Sequence, residues 1–172
     1  MMEPTKKKKG GQFMRPKTII NMLLTWILAF TMLEAATTNE VTGRFIGNGK
    51  NAKLAHAWVA PYESWQGEEA FIIVLSEKPA TDTKQPDFDA FFGNLDSALI
   101  VKFTKSGDIF GTEVYHESHE KKPFSSVGPL KLRDFKFEGD IISGRLFTEG
   151  TVESFGTQTW EVDLTFKAKL SK

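Results

Sequence analysis

Trp160-Glu161-Val162-Asp163-Leu164-Thr165-Phe166-Lys167-Ala168-Lys169-Leu170 alternates apolar with polar side chains over eleven residues. Successive side chains of an extended chain point to opposite faces, so this pattern predicts a strand with one face on a core and one in water. A helix would scatter the same residues around its circumference. The segment therefore sets the fold class, and the rest of the chain can be read for partners to it.

Turn chemistry separates further candidate strands upstream. Val41–Gly47 and Lys53–Ala60 flank Asn48-Gly49, a pair suited to the positive φ angles of a tight hairpin. Phe71-Ile72-Ile73-Val74-Leu75 is apolar on both faces and rich in β-branched residues, as expected of a central strand covered on both sides. Leu99–Thr104 and Ile109–His116 are joined by Lys105-Ser106-Gly107-Asp108, and Leu130–Phe137 and Ile141–Phe147 by Glu138-Gly139-Asp140. Between Leu130/Leu132 and Phe135/Phe137 the apolar phase slips by one, which places a β-bulge near Arg133-Asp134. The expected fold is all-β: a single antiparallel sandwich or barrel of about eight strands.

Ser76 to Ser97 is too long for a structureless connection in a compact domain, and it predicts one short helix. Pro86 and Asp87 suit a helix start, and Gly93 suits the stop. Phe88, Phe91 and Phe92 then fall at i, i+3 and i+4 on one helical face. Two placements follow from that stripe: the three rings plug an open end of the β-core, or they line or gate a ligand cavity.

The first 36 residues are read apart from the fold. A basic stretch ending at Lys17, sixteen mostly apolar residues from Thr18 to Leu33, and Glu34-Ala35-Ala36 have the layout of a secretory signal peptide. Met14-Arg15-Pro16-Lys17 would itself make a compact basic start, and a second reading of the segment places residues 1–13 upstream of the true start. The apolar run is short for a bilayer span, which favours cleavage near Ala36 over retention as an anchor. Residues 37–172 are then the exported domain, periplasmic or secreted.

Charge and composition narrow the function classes. Six of the 22 basic residues but only two of the 22 acidic ones lie in residues 1–36, so residues 37–172 carry 16 basic against 20 acidic side chains, a balance of −4. Such a domain has no electrostatic reason to seek nucleic acid or anionic membranes. The chain has no cysteine, so packing alone holds the domain and cysteine nucleophiles are excluded. Gly47-Asn48-Gly49-Lys50 lacks phosphate-loop spacing: Gly43 is one residue too far, and Asn51 follows the lysine. No Gly-x-Ser-x-Gly elbow is present, and no motif calls for a cofactor.

Two groups of residues carry candidate chemistry. His116, Glu117 and His119 are the only concentrated set of metal-ligand types, but positions three apart on a strand face opposite ways and no third ligand is evident nearby. They are read as a solvated strand end. His56 and Trp58 share the parity of Leu54, so His56 is expected to face inward. Tyr62 and Trp65 follow in a polar loop, where aromatic side chains beside a histidine make a recognition surface for sugars or another protein. The Gly-x-Trp signature of the lipocalins has no counterpart, since Gly43-Arg44-Phe45 carries phenylalanine in that place.

The leading expectation is a non-catalytic exported β-domain that binds a protein or envelope component, with His56, Trp58, Tyr62, Trp65, Phe88, Phe91 and Phe92 as ligand-binding candidates. A small-ligand-carrying β-barrel and a metal-dependent hydrolase are the alternatives. Oligomeric state is not readable from the sequence.

Overall fold

The computed structural model of the chain describes residues 39–80 and 83–171. The leader expected over residues 1–36 lies outside them, and the described residues belong to a compact unit, Thr37–Lys172. In order along the chain, the elements are β1 (Glu40–Gly47), β2 (Lys50–Ala52), β3 (His56–Trp65), β4 (Glu68–Ser76), α1 (Pro86–Phe91), β5 (Ala98–Thr104) and β6 (Ile109–Tyr115). They continue as β7 (Phe124–Ser125), β8 (Leu130–Glu138), β9 (Ile141–Thr148), β10 (Val152–Ser154) and β11 (Gln158–Lys169). Eight strands have seven residues or more, and β2, β7 and β10 are two- or three-residue additions at their ends.

The strands form two antiparallel sheets. One has the order β2-β1-β11-β9-β8, with β10 added to β11; the other is the meander β3-β4-β5-β6-β7. A single parallel bridge, Val59 to Leu170, links them. The last long strand lies between the first and β9, with Val41 opposite Phe166 and Phe45 opposite Val162. Trp160, Val162, Leu164, Phe166 and Ala168 are buried in one core with Phe45, Phe71, Phe103 and Leu146, as the alternation of the segment predicts.

Local chemistry explains the turns and irregularities. Asn48 and Gly49 both take positive φ (47° and 76°), which asparagine tolerates and glycine, without a Cβ, adopts freely in a tight hairpin. Asp134 also has positive φ (52°), and the β8–β9 register shifts between Arg133 and Lys136, where the apolar phase slips. Gly43 sits at φ 126°, and a Cβ there would lie 2.0 Å from the Asp163 carbonyl oxygen on β11. Only glycine permits β1 to approach β11 so closely.

Three expectations need correction. The hairpin after Asn48-Gly49 is short: β2 ends at Ala52, and Lys53 and Ala55 pass to the other sheet by donating their N–H groups to Glu77 Oε1 (3.0 Å) and the Ser76 carbonyl (3.0 Å). The facing of β3 is set by Ala57 and Val59, which lie in the main core, so His56 and Trp58 lie on the outer face, not the inner one. Leu54 precedes the strand and does not share its alternation. Finally, α1 does not plug an end of the β-core: it packs through Ala90 over Ile72, Val74, Ala98 and Ile100, on the outside of β4 and β5. Phe71, Ile73 and Leu75 face the main core while Ile72 and Val74 face the helix, which is why this strand is apolar on both sides.

Candidate functional site

The outer face of β3–β6 gathers most of the exposed apolar side chains. Helix α1 covers its middle but leaves Phe88, Phe91 and Phe92 exposed, with Phe88 and Phe92 ring centroids 4.5 Å apart. The β3–β4 hairpin supplies the next group. Its pairing becomes irregular between Tyr62 and Trp65, and beyond that point Trp65 reaches Phe110 on β6 although β4 and β5 lie between their strands. The two rings are stacked, 4.6 Å between centroids and 2° from parallel. Phe110 itself is turned outward by a register shift between Lys102 and Phe103 on β5, while its neighbour Ile109 packs on the main core.

Carboxylates hold the hairpin end in this position. Glu68 accepts from the Ser106 N–H (2.7 Å) and hydroxyl (3.1 Å), and Glu69 pairs with Lys105 (2.7 Å), so both tie the hairpin to the β5–β6 turn. A groove of about 450 Å³ results, lined by Tyr62, Glu63, Trp65, Lys102, Phe110 and Glu113 among others. A smaller recess of about 190 Å³ adjoins it, shares Lys102 and Glu113, and is lined by Asp87, Phe88, Phe91, Ile72 and Ile100. The Lys102 ammonium lies 5.0 Å from the centre of the Tyr62 ring, and Gly111 leaves room for its stem. Glu113 accepts one bond from Ser125 Oγ at 3.2 Å.

Of the sequence-selected aromatic residues, the fold thus brings Tyr62, Trp65, Phe88 and Phe91 to one groove, with Phe92 beside it. Trp58 lies on the same face but is partly buried against the helix-covered cluster, and His56 lies at the start of the same strand face, outside both recesses. None of the three phenylalanines lines an interior cavity, because the helix sits outside the sheet. Phe110, Lys102 and Glu113 were not selected from the sequence.

His116, Glu117 and His119 form a second locality. Strand β6 ends at Tyr115, and a turn closed by the His119 N–H donating to the His116 carbonyl (2.9 Å) brings the two imidazoles to 5.3 Å between centroids. They are not a solvated strand end: His116 is 3% and His119 2% exposed. The turn reverses the chain immediately after the strand, so strand parity does not apply to His119. His116 Nδ1 meets the Ser118 N–H at 3.1 Å and the Ser118 hydroxyl at 2.8 Å, and that hydroxyl also reaches the Gly47 carbonyl at 2.6 Å. Gly47 is glycine for a reason, since a Cβ there would collide with the imidazole of His116. His119 Nε2 donates to the Thr159 carbonyl at 2.9 Å, while His116 Nε2 and His119 Nδ1 have no partner.

Burial, reinforced by His119, pushes the His116 imidazole down to about 4; burial also lowers that of His119. Both are neutral at pH 7. A polar recess of about 300 Å³ opens beside them, lined by Lys50, Asn51, Glu77, Ser97, His116 and Ser118 among others. The Glu77 carboxylate there is occupied by the backbone N–H groups of Lys53 (3.0 Å) and Ser97 (3.1 Å). Among the described residues no three His, Asp or Glu side chains converge as metal ligands. Through the contacts of Ser118 with His116 and Gly47, and of His119 with Thr159, the pair of imidazoles packs between β6, the β1–β2 hairpin and β11.

No protein-family model matches the chain, and neither curated proteins nor solved structures show significant similarity to it.

Proposed function

We propose that this chain is an exported, non-catalytic binding domain, and that it engages a protein or envelope component through the outer face of β3–β6. One observation carries the reading: of the seven large apolar side chains exposed among the described residues, Tyr62, Trp65, Phe88, Phe91, Phe92 and Val127 lie on this face, and only Phe155 lies elsewhere. Exposed apolar side chains gathered on one face among charged ones mark interaction sites, whereas scattered single apolar residues do not. The signal-like layout of residues 1–36 supports placement of that partner outside the cytoplasm.

The test is retention from an envelope extract by immobilised protein. Wild-type protein is expected to hold material that a Trp65→Asp/Phe88→Asp double variant releases, with the melting temperature changed by only a few degrees because both side chains are exposed. Equal retention by a folded double variant would rule this face out.

A further inference from the structure

We propose that the groove between Trp65 and Phe88 binds a neutral, β-linked carbohydrate chain of gluco configuration; this rests on the binding reading above and names its ligand class. A pyranose ring with equatorial hydroxyls presents C–H groups on both faces and hydroxyls around its rim. It therefore asks for flat aromatic surface beneath it and for donors and acceptors at its edge.

The groove supplies both. Trp65, stacked parallel on Phe110, remains 45% exposed and forms a flat platform at one end. Phe88 and Phe91 provide a second aromatic station in the adjoining recess, with Lys102 and Glu113 common to both. Glu63, Asp87, Lys102 and Glu113 take part in none of the six ion pairs among the described residues; Glu113 Oε1 accepts from Ser125 and Lys102 lies over the Tyr62 ring, and the second Glu113 oxygen and the Lys102 donors can still meet hydroxyls. Three carboxylates against one ammonium give the lining negative charge, which disfavours phosphorylated or uronic-acid chains and leaves neutral ones. The volume lies within the usual range for small-ligand sites, about 300–1,000 Å³.

A peptide fits less well. The Lys102 floor of the groove lies on β5, which is paired on both sides, so β-strand addition could use only the edges of β3 and β7 at its rim and not the aromatic platforms themselves. An amphipathic helix needs an unbroken apolar channel, and Lys102 with Glu113 interrupts this one between its two aromatic stations.

Calorimetric titration of the purified protein with cellohexaose and with chitohexaose tests the proposal. At least one is expected to bind, with affinity falling about tenfold in Trp65→Ala, the scale of one lost aromatic platform. Glu113→Gln, which keeps the shape of the side chain, is expected to weaken binding by a smaller factor. Binding of neither sugar overturns the carbohydrate assignment, and so does binding that both variants retain in full. If neither sugar binds while protease-sensitive envelope material is held by wild type and lost from the Trp65→Asp/Phe88→Asp variant, the binding face stands and only the ligand class falls.

Discussion

A Leu164→Asp variant is expected to be unfolded in plain buffer, while Asp163→Asn, one residue away, folds with a loss of at most about 1 kcal/mol. Leu164 is buried among the inner-face residues of both sheets, and nothing near it in that cluster can pair with a carboxylate. Placing a charge or an unpaired carboxylic acid there costs several kcal/mol, against a total stability on the order of 5–15 kcal/mol for a domain of this kind. Asp163 faces solvent from the other side of β11, where Arg145 grips it through two bonds of 2.8 and 3.0 Å and holds its carboxyl below the usual range. That pair is partly exposed and worth correspondingly little. Circular dichroism with urea titration separates the two cases, and similar midpoints would mean that the facing of β11 is wrong.

Acid is expected to weaken the fold earlier than carboxylate titration alone would. The His116 imidazole is held down to about 4 in the folded protein, against about 6.5 for an exposed histidine. The unfolded chain therefore takes up the proton first. The contribution is complete above pH ~6.5, is lost progressively as the pH falls toward ~4, and amounts to roughly 3 kcal/mol for a shift of this size. His119, also depressed by burial, acts in the same direction. The charged groups around the pair are few: Glu77 from the connection after β4 weakly favours the charged form of His116, and Lys122 opposes that of His119. Urea midpoints measured from pH 7.5 to 4.5 should fall steeply in wild type and more gently in His116→Gln. A flat wild-type profile would contradict the assignment.

The sequence announces elements well when a residue's role is local. Alternation over Trp160–Leu170 fixes both the existence of β11 and its facing, because a half-buried strand has no other way to satisfy both sides. The phase slip at Arg133-Asp134 reveals the bulge, and Pro86 with Gly93 brackets the helix, each through a rule that concerns only a few neighbouring residues. The facing of β3 is misread because Leu54 looks like part of the same alternation, whereas the chain is changing sheets there. The two-sided apolar character of Phe71–Leu75 already requires cover on the outer face, yet nothing local says that α1 supplies it.

The site was legible only in pieces for the same reason. Tyr62 and Trp65 on one hairpin, and Phe88 and Phe91 on the helix, are recognisable as aromatic groups, but their meeting depends on irregular pairing in β3 and β5–β6. Phe110 reads as an inward residue by simple alternation with Thr112, and a single register shift reverses it. His116 and His119 read as divergent, and a turn makes them neighbours. Two of these cases follow from a one-residue register shift and the third from a turn at a strand end, none of which periodicity records.

The pairing of β1 with β11 bears on when this chain can acquire its structure. Glu40 through Gly47 pair with Lys167 through Trp160, so the first strand has no main ladder until β11, far along the chain, has been synthesised. Until then it has only three-residue β2 beside it, and β9 likewise lacks its neighbour. Ribosome-bound chains short of residue 158 keep half the apolar core without its central strand, and contacts of such long sequence separation form slowly even afterwards. A polypeptide wired in this way keeps its first and ninth strands apart until β11 is made, and that one strand then closes the sheet between them.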